Sequence, residues 1–329
     1  MADTPRVGVV GFGPWGRNHA RNFAALGALA ALCDGDAAAR AAACAAYPRC
    51  TVHGDIDGLL ADPTVDAVVI ATSSASHGAL ARRALAAGKP VLVEKPLCLD
   101  LAEAEAVVGD AERRGLLLMV GHLLLYHPAF RRLAELVQDG DLGALRYVYS
   151  QRLSLGRIRR DESALWSFAP HDTSMILYLA GRMPESVVTT GGGYLAHAVA
   201  DTTLTHLDFG DGLLGHIFVS WLHPFKDQRL VVVGEQAMAV FDDVMAGAHK
   251  LVIYRHRVGW DGDVPLMSKA DKEPVPFEQV EPLRRECETF LAAVAGKVAP
   301  PSDAQEGLRV MRVLDACQRS LSQGRAIAL

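Results

Sequence analysis

The chain has 329 residues, half of them hydrophobic and 22% charged, with a formal net charge of -5. That balance belongs to a globular protein of roughly two domains. No basic tract interrupts it, which argues against a nucleic-acid or acidic-membrane partner.

From residue 6 to residue 122, apolar strands alternate with helices. "RVGVVGFG" leads into "GRNHARNFAALG", "LAALCD" into "AAARAAACAAY", and "VDAVVIATS" into "ASHGALARRALAAG"; "PVLVEKP" and "DLAEAEAVVGDAERRG" follow, and "LLLMVGH" closes the set. Val/Ile/Leu strands separated by helices predict an α/β domain over residues 1–122, a doubly wound parallel sheet of the Rossmann type. After residue 122 the rhythm changes. The helical "PAFRRLAELVQDG" and the strand "ALRYVYSQRLSL" are followed by long strands between 186 and 256. "TTLTHLDF" and "LLGHIFVSWLH" read as one hairpin, "RLVVVG" and "MAVFDD" as another. Two helices finish the chain, the last with Leu308, Met311, Leu314 and Leu321 on one face. Residues 123–329 are therefore expected to form an α+β domain on a mostly antiparallel open sheet, with a face suited to a homodimer or homotetramer.

Six cysteines, at 33, 44, 50, 98, 287 and 317, form neither a Cys-x-x-Cys nor a zinc-site spacing. Reduced core thiols and no metal are the expectation. The amino-terminal "MADTPRVGVV" lacks a signal-peptide pattern, and the apolar run "LLLMVGHLLLY" is too short for a bilayer and carries His122. A cytoplasmic protein is expected.

Gly11, Gly13 and Gly16 make a Gly-x-Gly-x-x-Gly loop with Phe12, Pro14 and Trp15 between them. The loop follows a strand and opens a helix, the context in which glycines admit a pyrophosphate to a helix amino end. Asp34 ends the next strand, where an acidic residue meets the adenosine ribose hydroxyls, so NAD is the expected dinucleotide. Lys95 is the odd residue: a lysine closing an apolar strand that ends in the same crevice. A cation there can polarise a substrate hydroxyl, whereas a strand-end lysine in isolation is more often a snorkelling one.

The stretches "GFGPWG", "ATSSASHGALARRALAAGKPVLVEKPL" and "GHLLLYHPAFRRLAELVQDGDLGALRYV" resemble the Gfo/Idh/MocA family of sugar and cyclitol oxidoreductases, through essentially the whole chain. The resemblance implies an active-site lysine at Lys95 within a Glu94-Lys95-Pro96 motif, and a cofactor border at Thr72, Ser73 and His77. It places the catalytic histidine in "APHD", at His171. Many members carry Asp four residues earlier, where this chain has Ser167. Asp172 follows instead, with three roles open: orienting His171, contacting substrate, or capping the helix "DTSMILYLAG". The segments "ESALWSFAPHD" and "SWLHPFKDQRLVVVG" look most like a branch that oxidises the 3-hydroxyl of nucleotide or amino sugars ahead of transamination. Tyr126, Arg152, Arg157 and Trp166 are candidate substrate contacts, with core or solvated roles as the alternatives. An NADPH-dependent ketosugar reductase, an aminoglycoside or cyclitol dehydrogenase, and a dinucleotide-binding sensor remain alternative readings.

Overall fold

The computed structural model describes residues 4–156, 158, 162–195 and 199–329. Its contacts form two units, one running to Tyr126 and taking in Val280–Met311, the other made of His127–Gln279 and Arg312–Leu329. The sequence suggested a cut between residues 122 and 123. In the structure, chain from beyond residue 279 also contributes to the first unit.

The first unit contains β1 (Val7–Val10), α1 (Pro14–Ala25), β2 (Leu29–Cys33), α2 (Ala37–Ala46), β3 (Thr51–His53), α3 (Ile56–Ala61), β4 (Ala67–Ile70), α4 (His77–Ala86), β5 (Val91–Glu94), α5 (Leu101–Arg114) and β6 (Leu118–Gly121). The strands lie in the order β3-β2-β1-β4-β5-β6 and pair in parallel. Every residue of β1, β4, β5 and β6 is buried, as a parallel sheet covered on both faces requires. The order reverses between β1 and β4, which opens a crevice beyond their carboxyl ends. Asp36, Asp55 and Asp100 cap α2, α3 and α5 by accepting backbone N–H groups. Helix α1 starts differently, with Gly13 at its cap, no side-chain cap bond, and Pro14 in its first turn. Later in the chain, α8 (Pro282–Val294) packs against α1, and the Phe23 and Phe290 rings meet edge-on with centroids 6.3 Å apart.

The second unit holds α6 (Pro128–Gln138), β7 (Leu145–Leu153), α7 (Ala164–Ala180), β8 (Ser186–Gly192), β9 (Thr202–Asp208), β10 (Leu214–Ser220), β11 (Asp227–Gly234), β12 (Met238–Asp242), β13 (Leu251–Tyr254), β14 (Arg257–Asp261), β15 (Val264–Ser268), β16 (Lys272–Pro274) and, after α9 (Ala304–Gln323), β17 (Ile327–Ala328). Nine strands form one sheet in the order β16-β13-β12-β11-β7-β10-β9-β8-β17, and β14 and β15 form a separate two-stranded sheet. Both expected hairpins are present, β9 with β10 and β11 with β12. One pairing departs from the antiparallel pattern: β7 and β10 run parallel at the centre. Helix α7 covers one face, over Val148, Ile217 and Val219. The other face presents a register row of Val188, His206, His216, Tyr149, Val231 and Val240, none fully buried. On α9, Leu308, Met311 and Leu314 are buried and Leu321 is half-buried.

Candidate active site

The glycine loop is shaped by close approach. Gly11 sits at φ +92°, and a Cβ there would stand 2.6 Å from the Ala71 carbonyl oxygen. A Cβ on Gly16 would stand 1.8 Å from the Gly11 carbonyl oxygen, so any larger residue breaks the turn. At Gly13, by contrast, a Cβ would meet no atom within 4 Å. The open side of the loop therefore faces outward at the uncapped amino end of α1, which suits a pyrophosphate. Phe12 is buried, Trp15 is 42% exposed, and the Arg17 guanidinium lies 5.3 Å from the Phe12 ring.

Asp34 follows β2 and is fixed by two backbone donors. Its Oδ2 accepts the Phe12 N–H at 2.7 Å and its Oδ1 accepts the Asp36 N–H at 2.8 Å. A carboxylate has about four lone-pair sites, so each oxygen keeps capacity for a ribose hydroxyl. Arg40 folds back here: its Nη1 donates to the carbonyl oxygens of Asp34 (3.0 Å) and Gly35 (2.9 Å). Gly11, Asp34, Gly35, Asp55, Thr72 and Arg83 line one cleft of about 250 Å³. These features fit a bound dinucleotide with its adenosine end at Asp34.

Beyond β4, the Thr72 hydroxyl is 2.7 Å from that of Ser76, and exposed Ser73 precedes a short helical turn. His77, which the resemblance placed at the cofactor border, is buried. Its Nδ1 lies 2.8 Å from the Pro96 carbonyl oxygen and its Nε2 3.3 Å from that of Thr72. It joins the turn after β4 to the Glu-Lys-Pro turn from within. Lys95 is half-buried at the carboxyl end of β5, before a cis bond to Pro96. Glu94 beside it is buried; its Oε2 accepts the Lys95 N–H at 3.3 Å and its Oε1 is 2.8 Å from His19 Nε2. His19 escaped sequence analysis because its partner lies 75 residues away and α1 alone gives no sign of it.

Tyr126, suggested as a substrate contact, is buried in the first unit. It is 5% exposed, its hydroxyl is 2.7 Å from that of Ser302, and burial raises the phenol well above its ordinary pKa. In the second unit, α7 begins at Ala164 and contains Pro170, so Asp172 lies inside the helix and does not cap it. Asp172 is 1% exposed and engages Arg152: Nε donates to Oδ2 at 2.9 Å and Nη2 to Oδ1 at 3.4 Å, while the Ser150 hydroxyl also donates to Oδ1. The pair holds β7 against α7 and engages Arg152, which was suggested as a substrate contact. His171, one residue before, is half-buried. Trp166 Nε1 donates to Gln318 Oε1 at 3.2 Å, and Trp166 lines a cavity of about 200 Å³ with Glu162, Ser163, Val199, Ala200 and Leu321. Arg157 lies outside the described residues. No cluster of three or more potential metal ligands occurs among the described residues.

Residues 5–122 match the family described as "Oxidoreductase family, NAD-binding Rossmann fold", and residues 130–240 match the "GFO/IDH/MocA C-terminal domain". The chain is 33% identical over 307 residues to UDP-N-acetylglucosamine 3-dehydrogenase of Acidithiobacillus ferrooxidans, covering 93% of this chain and 94% of that protein. A solved structure of that enzyme, GnnA, superposes with a TM-score of 0.83 at 31% identity, over 97% of each chain. GenD2 from gentamicin A biosynthesis, solved with NAD, superposes with a TM-score of 0.84 at 25% identity, over 100% of this chain and 97% of that one. Inositol 2-dehydrogenase of Rhizobium meliloti is 26% identical over 99% of both chains.

Proposed function

The chain belongs to the Gfo/Idh/MocA oxidoreductase family, and on that premise we propose that it oxidises the 3-hydroxyl of a nucleotide-activated or amino sugar to a ketosugar. It is an NAD-dependent dehydrogenase of sugar hydroxyls. The observation that carries the finer reading is the likeness to UDP-N-acetylglucosamine 3-dehydrogenase over 93% of this chain, and Lys95, at the carboxyl end of β5 in the sheet that carries the dinucleotide loop, is the group suited to act on the hydroxyl. Bound NAD supplies the acceptor for the carbinol hydride. Lys95 donates to the reacting oxygen and stabilises the negative charge that develops there. His171 takes up the hydroxyl proton. Trp166 offers an aromatic face to the sugar. The Asp34 carboxylate holds the adenosine ribose and sets the preference for NAD, because a 2′-phosphate would meet a like charge. The resulting ketone is the electrophile that an aminotransferase needs.

Two further features complete the reading. The half-exposed sheet face around Tyr149, His206 and His216 supports a homodimer or homotetramer. Among the described residues no helix is long and apolar enough to cross a membrane, and the free thiols suit the cytoplasm. The likeness to inositol 2-dehydrogenase and GenD2 keeps a cyclitol or aminoglycoside substrate as the second reading. Initial rates of NADH formation on UDP-N-acetylglucosamine, myo-inositol and an aminoglycoside separate the two. The reading expects the highest kcat/KM on the sugar nucleotide; a preference for either other substrate overturns it.

A further inference from the structure

His19 is a fully buried residue of α1 that neither the glycine loop nor the lysine explains. Its ring stacks on Phe23, centroids 6.3 Å apart, and its Nε2–H donates to Glu94 Oε1 at 2.8 Å. The other ring nitrogen lies 3.8 Å from the Cys287 thiol, which burial keeps protonated and able to donate. One carboxylate thus joins the helix that the dinucleotide loop opens to the backbone of the residue bearing the amine.

The titratable groups around this carboxylate come from four places. His19 faces it from α1, His77 from α4, Lys95 from the next position, and Glu286 and Cys287 from α8. Desolvation opposes ionisation of Glu94. The hydrogen bond from His19, together with the nearby Lys95 ammonium, outweighs it and holds the carboxyl below its ordinary pKa. Glu286 goes the other way. Neither of its oxygens has a hydrogen-bond partner among the described residues, and burial followed by the Glu94 charge pushes it well above the ordinary value. Of the two buried carboxyls, Glu94 is the one that a hydrogen-bond donor faces, so the negative charge is favoured there.

We propose that His19 is a positioning residue for the reaction: through Glu94 it keeps a counter-charge beside Lys95 and holds that lysine in register with the dinucleotide loop. The proposal rests on the reading of Lys95 as the group that polarises the reacting oxygen. Without His19, burial acts on Glu94 against one opponent fewer, the carboxyl takes up a proton, and the amine loses its counter-charge.

The chain has only 7 lysines, so reductive ¹³C-methylation of the full protein gives a resolvable NMR signal for each, with Lys95 assigned by its loss in Lys95→Met. In His19→Ala the Lys95 titration midpoint is expected to fall by about one pH unit. Turnover should fall about tenfold, with KM for NAD held within about twofold. His19→Gln, which keeps a side-chain N–H donor, should recover most of both. An unmoved midpoint in folded His19→Ala, or a His19→Gln no better than the alanine variant, overturns the proposal. Lys95→Met distinguishes the sources of failure. If it is inactive while the His19→Ala midpoint stays put, this proposal alone fails; if it retains full turnover, the reading of the lysine fails as well.

Discussion

Asp172→Asn removes one charge and almost no volume from a buried ion pair. Asp172 is 1% exposed and Arg152 6%, and two guanidinium nitrogens reach the carboxylate at 2.9 and 3.4 Å. An asparagine still accepts from one donor but leaves the guanidinium buried without its counter-charge. Breaking one side of such a pair costs about 3–5 kcal/mol, which for a unit of this size lowers the melting temperature by roughly 6–20 °C. Replacing both partners, as in Arg152→Met with Asp172→Leu, should recover most of that loss, since a buried pair contributes little over an apolar one. The assay is thermal unfolding followed by circular dichroism on wild type, both single variants and the double variant. A pH–rate profile measured on the folded Asp172→Asn protein accompanies it, and its basic and acidic limbs should stay in place. An unchanged melting temperature together with a displaced limb would refute the reasoning and return Asp172 to His171 as an orienting group.

Three other substitutions follow from the first unit. Lys95→Met should lower turnover roughly 10²-fold or more while the dissociation constant for NAD, read by fluorescence titration, stays nearly constant; near-wild-type turnover would return the lysine to a structural role. Wild-type kcat/KM should favour NAD over NADP by roughly 10²-fold, and Asp34→Ala should narrow that gap because the Phe12 and Asp36 N–H groups and the nearby Arg40 then face the 2′-phosphate; equal cofactor use by the wild type would overturn the argument. Glu286 has a folded pKa well above its unfolded one, so its protonated carboxyl contributes stability below the ordinary glutamate pKa that is lost as pH rises towards the folded value. Against Glu286→Gln, the wild type should therefore lose stability in urea unfolding as pH rises above the ordinary glutamate range, by at most about 1.4 kcal/mol per pH unit, and parallel curves would contradict the raised pKa.

What could be read without the structure was what neighbours in sequence decide. Val7–Val10 and Ala67–Ile70 announce a covered parallel sheet because every position is apolar, and Gly11 to Gly16 mark the phosphate turn because the glycines stand between a strand and a helix. The β9–β10 hairpin followed from its alternation and turn. What stayed hidden lies where distant residues decide. A helix starting at "DTSMILYLAG" was one reading of Asp172, yet α7 begins at Ala164, with Ala164, Leu165 and Ala169 buried, and runs through Pro170. Arg152 was a substrate candidate by residue type alone, and only the packing of β7 against α7 reveals its partner. Tyr126 turned inward because Ser302, 176 residues away, satisfies its hydroxyl. The parallel pairing of β7 with β10 has no local signature at all.

The central claim, hydride transfer from carbon 3 of a sugar nucleotide to NAD, is tested most directly with UDP-N-acetylglucosamine deuterated at that carbon. The account predicts reduced cofactor carrying the deuterium, a ketosugar nucleotide lighter than its labelled substrate by the lost deuterium and proton, and slower turnover than with the unlabelled sugar where chemistry limits the rate. Reduced cofactor without deuterium, or substrate recovered unoxidised under conditions where another polyol is turned over, would contradict it.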